Sequence, residues 1–234
     1  HEETRSHGFR YKALVQLEQK LERAYSLQHR IRIWQDTETN ESLKFVTNIV
    51  RDITKLKMRF PAVNDMLAFH RNLEMWVERA NVAIRSRISV SEIESLIATG
   101  NTMKVDVSEY LEKLQSRVDV AKEWLQQFGD AIQYHGGDDD DPTPLITKIR
   151  AHFDSTLQEL ATEGSRLPVE IEQLKVLQLE LDAHAWSNKT QKLLDKKSKL
   201  EDLRDHVAKG VVLRERAYVE DWELHGEAEL DAIV

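Results

Sequence analysis

Apolar side chains recur every three or four residues along most of this 234-residue chain, and this spacing predicts amphipathic α-helices. The longest stripe runs from Val107 to Ile132, with steps that average close to the 3.5 residues per turn of coiled-coil packing. We therefore expect the helix that carries it to pack against another helix. The pattern also predicts a helix from Tyr11 to Trp34, with an apolar stripe of Leu14, Leu17, Leu21, Ala24, Ile31 and Trp34.

The sequence also contains an internal repeat. Shifting residues 91–124 forward by 64 positions places their apolar and glycine positions on those of residues 155–186, with a slip of two near the end. Each copy predicts a short helix, an apolar corner, and a long helix that leads to a tryptophan. The matched positions include Ser91 with Ser155, Gly100 with Gly164, Val105 with Val169, and Trp124 with Trp186.

The glycine of each copy follows the last apolar residue of the short helix. We expect it to end that helix in the left-handed conformation, which glycine adopts without steric cost. Weaker copies extend the pattern, since Trp76 precedes Gly100, and Trp186 precedes Gly210, by 24 positions in each case. Upstream, Phe60 and Pro61 resemble the corner of the second copy, although Lys57 stands where the glycine is expected.

These elements predict an all-α fold, either an elongated antiparallel helical bundle or an irregular helical repeat in which long and short helices alternate. Eight glycines and four prolines are too few for a β-sandwich or barrel with many turns. We expect four parts: residues 1–60 as a helical hairpin, 61–135 as a first repeat pair, 136–144 as an acidic mobile loop, and 145–234 as a second repeat pair. One helix is expected from Thr143 through Leu160, another ending at Gly210, and a last one from Val211.

Composition narrows the function classes. A formal net charge of −8 disfavours a protein that coats nucleic acid or anionic membrane through its overall field, although a local basic face stays open. The absence of cysteine excludes disulfides, thiolate metal sites and a cysteine nucleophile. No apolar run approaches 18 residues, so we expect no membrane-spanning helix.

The histidines do not form a convincing active-site pattern. His152 and Asp154 have the His-x-Asp spacing of iron-dependent oxygenases, and His1 and His225 each begin a His-x-Glu pair. Positions two apart on a helix face different directions, so we expect these side chains to lie on a solvated helix surface. The acidic run 138–141 lacks the alternating ligands of a calcium loop. We expect no catalytic residue, metal, cofactor or small-molecule substrate in this chain.

Two surfaces are candidates for partner binding. Four lysines share one face of a predicted helix and could meet phosphates or an acidic protein, although interleaved acids also fit an ordinary charged surface. Tyr218 and Trp222 form an aromatic pair near the carboxyl end, which either belongs to the core or binds a partner protein. The four tryptophans in register, Trp34, Trp76, Trp124 and Trp186, are expected in the core. The candidate partner-binding residues are Lys189, Lys192, Lys196, Lys199, Tyr218 and Trp222.

The repeat unit carries a family likeness. The segments LQELATEGSRLPVEIEQL…DAHAW and IESLIATGNTMKVDVSEYLEKL…AKEW resemble the PLU-type helical region of the jumonji and ARID-containing histone H3 lysine-four demethylases. The likeness covers most of the chain from about Phe60 onward and is looser before it. The acidic insertion departs from the family pattern and leaves open a divergent, fungal member.

This resemblance implies a non-catalytic scaffold within a nuclear chromatin regulator. Such a region would space the reader and catalytic modules and bind subunits of a chromatin complex, with weak nucleosome or DNA contact. The family's iron and 2-oxoglutarate ligands match no position here, so no catalytic residue is carried over. The alternative is a spectrin-like cytoskeletal rod, but spectrin units resemble each other at a period much longer than the self-match of 64 found here.

Overall fold

The computed structural model describes residues 2–37, 40–58, 60–133, 143–195, 197 and 199–219. Within those ranges the chain is all-α, which confirms the predicted fold class. Two short strands, β1 and β2, accompany the helices. The elements in chain order are α1 Glu2–Asp36, β1 Glu41–Ser42, α2 Leu43–Leu56, α3 Pro61–Arg85, α4 Val90–Asn101, β2 Val105–Asp106, α5 Ser108–Ile132, α6 Thr143–Ala151, α7 Ser155–Arg166, α8 Glu172–Leu194 and α9 Leu200–Val219.

The chain forms two compact units. The first contains His1–Ser86 with Ser91–Gln115, and the second contains Arg87–Val90 with Ser116–Val234. The division therefore falls inside α5, between residues 115 and 116. The four parts expected from the repeats stay a prediction.

Short parallel pairings hold the corner segments in place. In the first unit, Glu41 and Ser42 of β1 pair with Val105 and Asp106 of β2. In the second unit, Ser89 pairs with Glu170, whose amide donates to the carbonyl of Ile88 at 2.9 Å. The helical periodicity does not predict these pairings, because two residues are too few to show strand alternation.

The predicted tryptophans lie in the core, as expected. Each of the four indoles is buried and donates its N–H to a backbone carbonyl, which removes the cost of burying an unpaired donor. The acceptors are Lys104 for Trp34 at 3.2 Å, Leu96 for Trp76 at 3.0 Å, Leu160 for Trp124 at 2.9 Å, and His206 for Trp186 at 2.9 Å.

Three of these bonds repeat one arrangement, which we call the tryptophan joint. A tryptophan on one helix donates to a carbonyl on a later helix, and that carbonyl lies four residues before a glycine. The glycines are Gly100, Gly164 and Gly210. The tryptophan precedes its glycine by 24 positions at Trp76 and Trp186 and by 40 at Trp124, so the constant feature is the four-residue step from the accepting carbonyl to the glycine.

The glycines do not end their helices, so the expected left-handed stop was wrong. Gly100 lies inside α4 and Gly164 inside α7, while α9 continues without a break through Gly210. A β-carbon at Gly100 would lie 2.6 Å from Cζ2 of Trp76, and one at Gly164 would lie 2.9 Å from Cε2 of Trp124. Glycine is needed there because the indole ring packs directly against the helix backbone.

Left-handed backbone occurs instead at Lys57, where the repeat lacks its glycine. Lys57 is the C-cap of α2, with φ 51° and ψ 40°, and its amide donates to the carbonyl of Ile53. At the corresponding end of α7, the C-cap Leu167 is extended, with φ −63° and ψ 145°. The glycine of the repeat is therefore a packing residue, and helix termination does not require it.

Two further expectations need correction. The helix expected from Thr143 through Leu160 is divided into α6 and α7, because the carboxylate of Asp154 accepts from the amide of Leu157 and caps a new helix. The stripe of α1 is buried only in its later half, at Ala24, Leu27, Ile31 and Trp34. Leu14, Leu17 and Leu21 are exposed, at 53%, 64% and 47%.

The close approach at Gly100 predicts a measurable cost for a single methyl group. Gly100→Ala should lower the free energy of unfolding by about 1–2 kcal/mol, since overlap with the rigid indole outweighs the gain of about 1 kcal/mol in helix propensity. Urea denaturation followed by circular dichroism measures this change. Ala98→Gly, at an exposed position of α4, supplies the propensity value without the contact. A neutral or stabilising Gly100→Ala would contradict the joint.

Candidate interaction surfaces

The lysines that were predicted to share one face of a helix do not all belong to the same helix. Helix α8 ends at Leu194, so it carries only Lys189 and Lys192, and both are exposed. Lys199 is exposed in the segment before α9, and Lys196 lies outside the described residues. Asp195 is the C-cap of α8, and its amide donates to the carbonyl of Gln191 at 3.1 Å. Partner binding by these lysines stays a prediction.

The predicted aromatic patch falls at the edge of the described chain. The backbone of Tyr218 belongs to the last turn of α9, but its side chain is outside the description. Trp222 lies beyond residue 219, also outside it. The role of both residues therefore stays a prediction.

A groove runs beside Lys189 between α8 and α9. It encloses about 600 Å³, and its lining is mainly apolar but includes charged side chains. Trp186 and His206 form part of its wall, and Lys189 and Lys209 stand on opposite helices. On the α9 side, Val212 is 53% exposed. Of the predicted partner-binding residues, the structure thus places Lys189 beside a concave surface.

The histidine and carboxylate pair that suggested a metal site has other partners. The Nδ1 atom of His152 lies 2.9 Å from the carbonyl of Lys148, and Asp154 caps α7. In the ranges that the structure covers, no group of three or more histidine, aspartate or glutamate side chains could hold a metal ion. His1, His225 and the run 138–141 lie outside those ranges.

One buried ion pair was not predicted from the sequence. Glu180 of α8 is 1% exposed, and Arg150 of α6 holds it with two parallel hydrogen bonds of 2.9 Å. This fork geometry is the strongest form of a guanidinium–carboxylate contact. The only signal in the sequence is a glutamate at a position between two leucines of an apolar run. The pair fixes α6 against α8.

A buried histidine completes the joint at Trp186. The ring of His206 stacks on the indole at 4.9 Å and 8°, and its Nε2 atom lies 2.8 Å from the hydroxyl of Thr190. Since that hydroxyl donates its own proton to the carbonyl of Trp186, we assign the imidazole proton to Nε2. Nδ1 is buried and has no hydrogen-bond partner among the described residues. Burial lowers the pKa of His206, and the nearby charges of Lys189 and Lys209 lower it further.

The lowered pKa of His206 predicts that acid destabilises the second unit. In the unfolded chain, histidine titrates near 6.5, so on acidification the unfolded state binds a proton before the folded state does. The contribution of His206 is complete above that pH and is lost as the pH falls from about 6.5 toward the lowered folded value. Urea denaturation at several pH values should show a smaller acid loss for His206→Gln, which keeps a donor for Thr190. Equal pH slopes would contradict this assignment.

Two more grooves lie in the first unit. The larger, of about 940 Å³, runs between α2 and α3, and its lining includes Leu43, Val50, Leu73, Val77 and Val82 together with charged residues. The other encloses about 560 Å³ between α1 and α2 and is predominantly basic. Sequence periodicity indicated neither groove, because each is formed by the flanks of two helices.

None of the helices that the structure describes has the length and apolar character needed to cross a membrane. In a comparison with protein families, the family model described as PLU-1-like protein matches residues 2–141. The match covers more than half of the chain. It includes the first copy of the repeat and ends before the second copy. Comparisons with curated proteins and with solved structures gave no significant match.

Proposed function

The chain belongs to the PLU-1-like protein family, and we propose that it is a non-catalytic helical scaffold in a chromatin regulator of the jumonji and ARID-containing demethylase type. It spaces the modules of that regulator and offers docking surfaces to other subunits. The PLU-1-like region is a non-catalytic part of a demethylase family. The nuclear location and the chromatin partners follow from this assignment as parts of the proposal. The family match favours this function over a spectrin-like rod.

The tryptophan joint is the observation that supports the scaffold role. A hydrogen bond from a buried indole to a helix carbonyl, with a glycine beneath the ring, fixes the distance and rotation of two helices together. The hydrogen bond recurs at Trp76, Trp124 and Trp186, so each unit uses the same contact to hold two helices together. Rigid contacts between helices suit a spacer, because a spacer must hold the modules on either side of it at a fixed separation.

A pull-down from nuclear extract tests the docking role. The chain is used as bait, and the bound proteins are identified by mass spectrometry. We expect chromatin-complex subunits, and we expect Trp222→Ala or Lys189→Glu/Lys192→Glu/Lys196→Glu to reduce their recovery. Lys44→Glu/Arg71→Glu, at exposed positions of the first unit, is the matched control. Recovery of membrane-skeleton proteins in place of chromatin proteins would support the spectrin-like alternative instead.

We propose further that this part of the regulator binds no metal or cofactor and turns over no small-molecule substrate. His152 and Asp154 support this, because both serve helix ends in the structure. Elemental analysis of the purified chain tests it directly. Stoichiometric iron or zinc would overturn the proposal.

A further inference from the structure

The basic groove between α1 and α2 has a composition unlike that of the chain as a whole. Its lining contains four cationic side chains and one carboxylate, a net charge of +3, in a chain whose net charge is −8. The groove encloses about 560 Å³, within the usual size of a ligand cleft. The lining residues are Gln16, Gln19, Lys20, Arg23, Ser26, Leu27, Arg30, Asp52, Lys55 and Leu56.

Three of the four cations are available to a ligand. Arg30 donates to Asp52 at 2.9 Å, which neutralises both charges and ties α1 to α2. Lys20, Arg23 and Lys55 are exposed and have no ion-pair partner among the described residues. Clustered like charges repel each other, so an anion that enters the groove gains attraction from all three.

The other lining groups favour a peptide over a nucleic-acid duplex. The side chains of Gln16, Gln19 and Ser26 can donate to and accept from a peptide backbone, while Leu27 and Leu56 offer apolar contact. A duplex carries about one charge per 1.7 Å, and the parts of it that extend beyond the groove meet a chain whose net charge is −8. Charges are screened within about 8 Å at physiological salt, so a peptide short enough to lie in the groove interacts mainly with the residues that line it.

We propose that the groove between α1 and α2 binds a short acidic peptide segment of a partner protein, with Lys20, Arg23 and Lys55 as its carboxylate-binding residues. This inference rests on the proposed docking role and gives that role a defined surface. Carboxylates of the peptide pair with the three cations, and its apolar side chains lie against Leu27 and Leu56. The partner segment is therefore acidic with interspersed apolar residues.

Fluorescence anisotropy of the full 234-residue chain tests this inference. The probe is a labelled hexapeptide of alternating glutamate and leucine, measured at physiological ionic strength. We expect saturable binding that is weakened at least about tenfold in Arg23→Glu/Lys55→Glu, since two attractive charges become repulsive. The control, Lys44→Glu/Arg71→Glu, reverses two exposed charges of the same unit outside the groove and should bind like the wild type. Circular dichroism confirms that both variants are folded.

Three outcomes would overturn the inference. The first is no saturable binding of the peptide, and the second is equal weakening by the control variant. The third is binding of a short B-form DNA duplex that is tighter than that of the peptide and is lost in Arg23→Glu/Lys55→Glu, since this would assign the groove to nucleic acid. The peptide is added directly, so its failure would overturn the groove assignment alone. Failure of the nuclear pull-down would overturn the docking role.

Discussion

Replacing Trp124 with alanine should lower the free energy of unfolding by about 3–5 kcal/mol, the usual cost of deleting a buried tryptophan side chain. The indole is 3% exposed, stacks on Phe128 at 5.2 Å, and donates to the carbonyl of Leu160 at 2.9 Å. Its loss leaves a cavity beneath Gly164 and removes the contact that holds α7 against α5. Urea denaturation followed by circular dichroism measures the change.

Two control variants separate the parts of this effect. Trp124→Phe keeps most of the ring but loses the N–H donor, so we expect a smaller loss than for alanine. Val120→Ala, one helical turn earlier on α5 at a 39% exposed position, should change stability by only about 0.5–1 kcal/mol. A loss for Trp124→Ala no larger than for Val120→Ala would mean that the joint does not hold these helices together.

Replacing Arg150 should lower the free energy of unfolding by a similar amount, because the buried carboxylate of Glu180 loses its partner. Glu180 is 1% exposed in the native chain, and in Arg150→Ala its carboxylate loses the guanidinium partner, so we expect a loss of about 3–5 kcal/mol. Urea denaturation of the purified variant gives the value. The double variant Arg150→Met/Glu180→Leu should recover most of the loss, since apolar groups of similar size leave no charge behind.

An exposed ion pair that also involves α8 shows how much the burial of the Arg150–Glu180 pair matters. Arg216 of α9 contacts Asp182 of α8 at 3.1 Å, and both side chains are about half exposed. Arg216→Ala should cost at most about 1 kcal/mol, because water solvates the carboxylate that remains. Equal losses for Arg150→Ala and Arg216→Ala would show that burial does not set the strength of the first pair.

The sequence predicted much of the fold because periodic spacing reports which face of a helix is buried. The predicted stripe is confirmed at Val107, which directly precedes α5, and at Leu114, Val118, Ala121 and Ile132 of α5, all of which are buried. The same reasoning failed for the first half of α1, where leucines keep the helical spacing but remain exposed. Spacing shows that a face is apolar, whereas burial also requires a second element to cover it.

The candidate surfaces were less predictable than the core. Lys189, Lys192 and Lys199 are exposed as expected, yet the end of α8 at Leu194 separates Lys199 from the other two. The basic groove could not be found from spacing, since Lys20 and Lys55 lie 35 positions apart and meet only when α1 packs on α2. Charge along a single helix does not reveal which charges two helices bring together.

The sequence by itself determined the all-α class, the repeat, the burial of the four tryptophans and the resemblance that the family match supports. These properties follow from spacing along one chain. Only the tertiary structure decided why Gly100 and Gly164 are glycine, which residue pairs with Glu180, and where cations gather into a groove. The reason is physical: a close approach, an ion pair or a cleft belongs to two segments together, and neither segment encodes it alone.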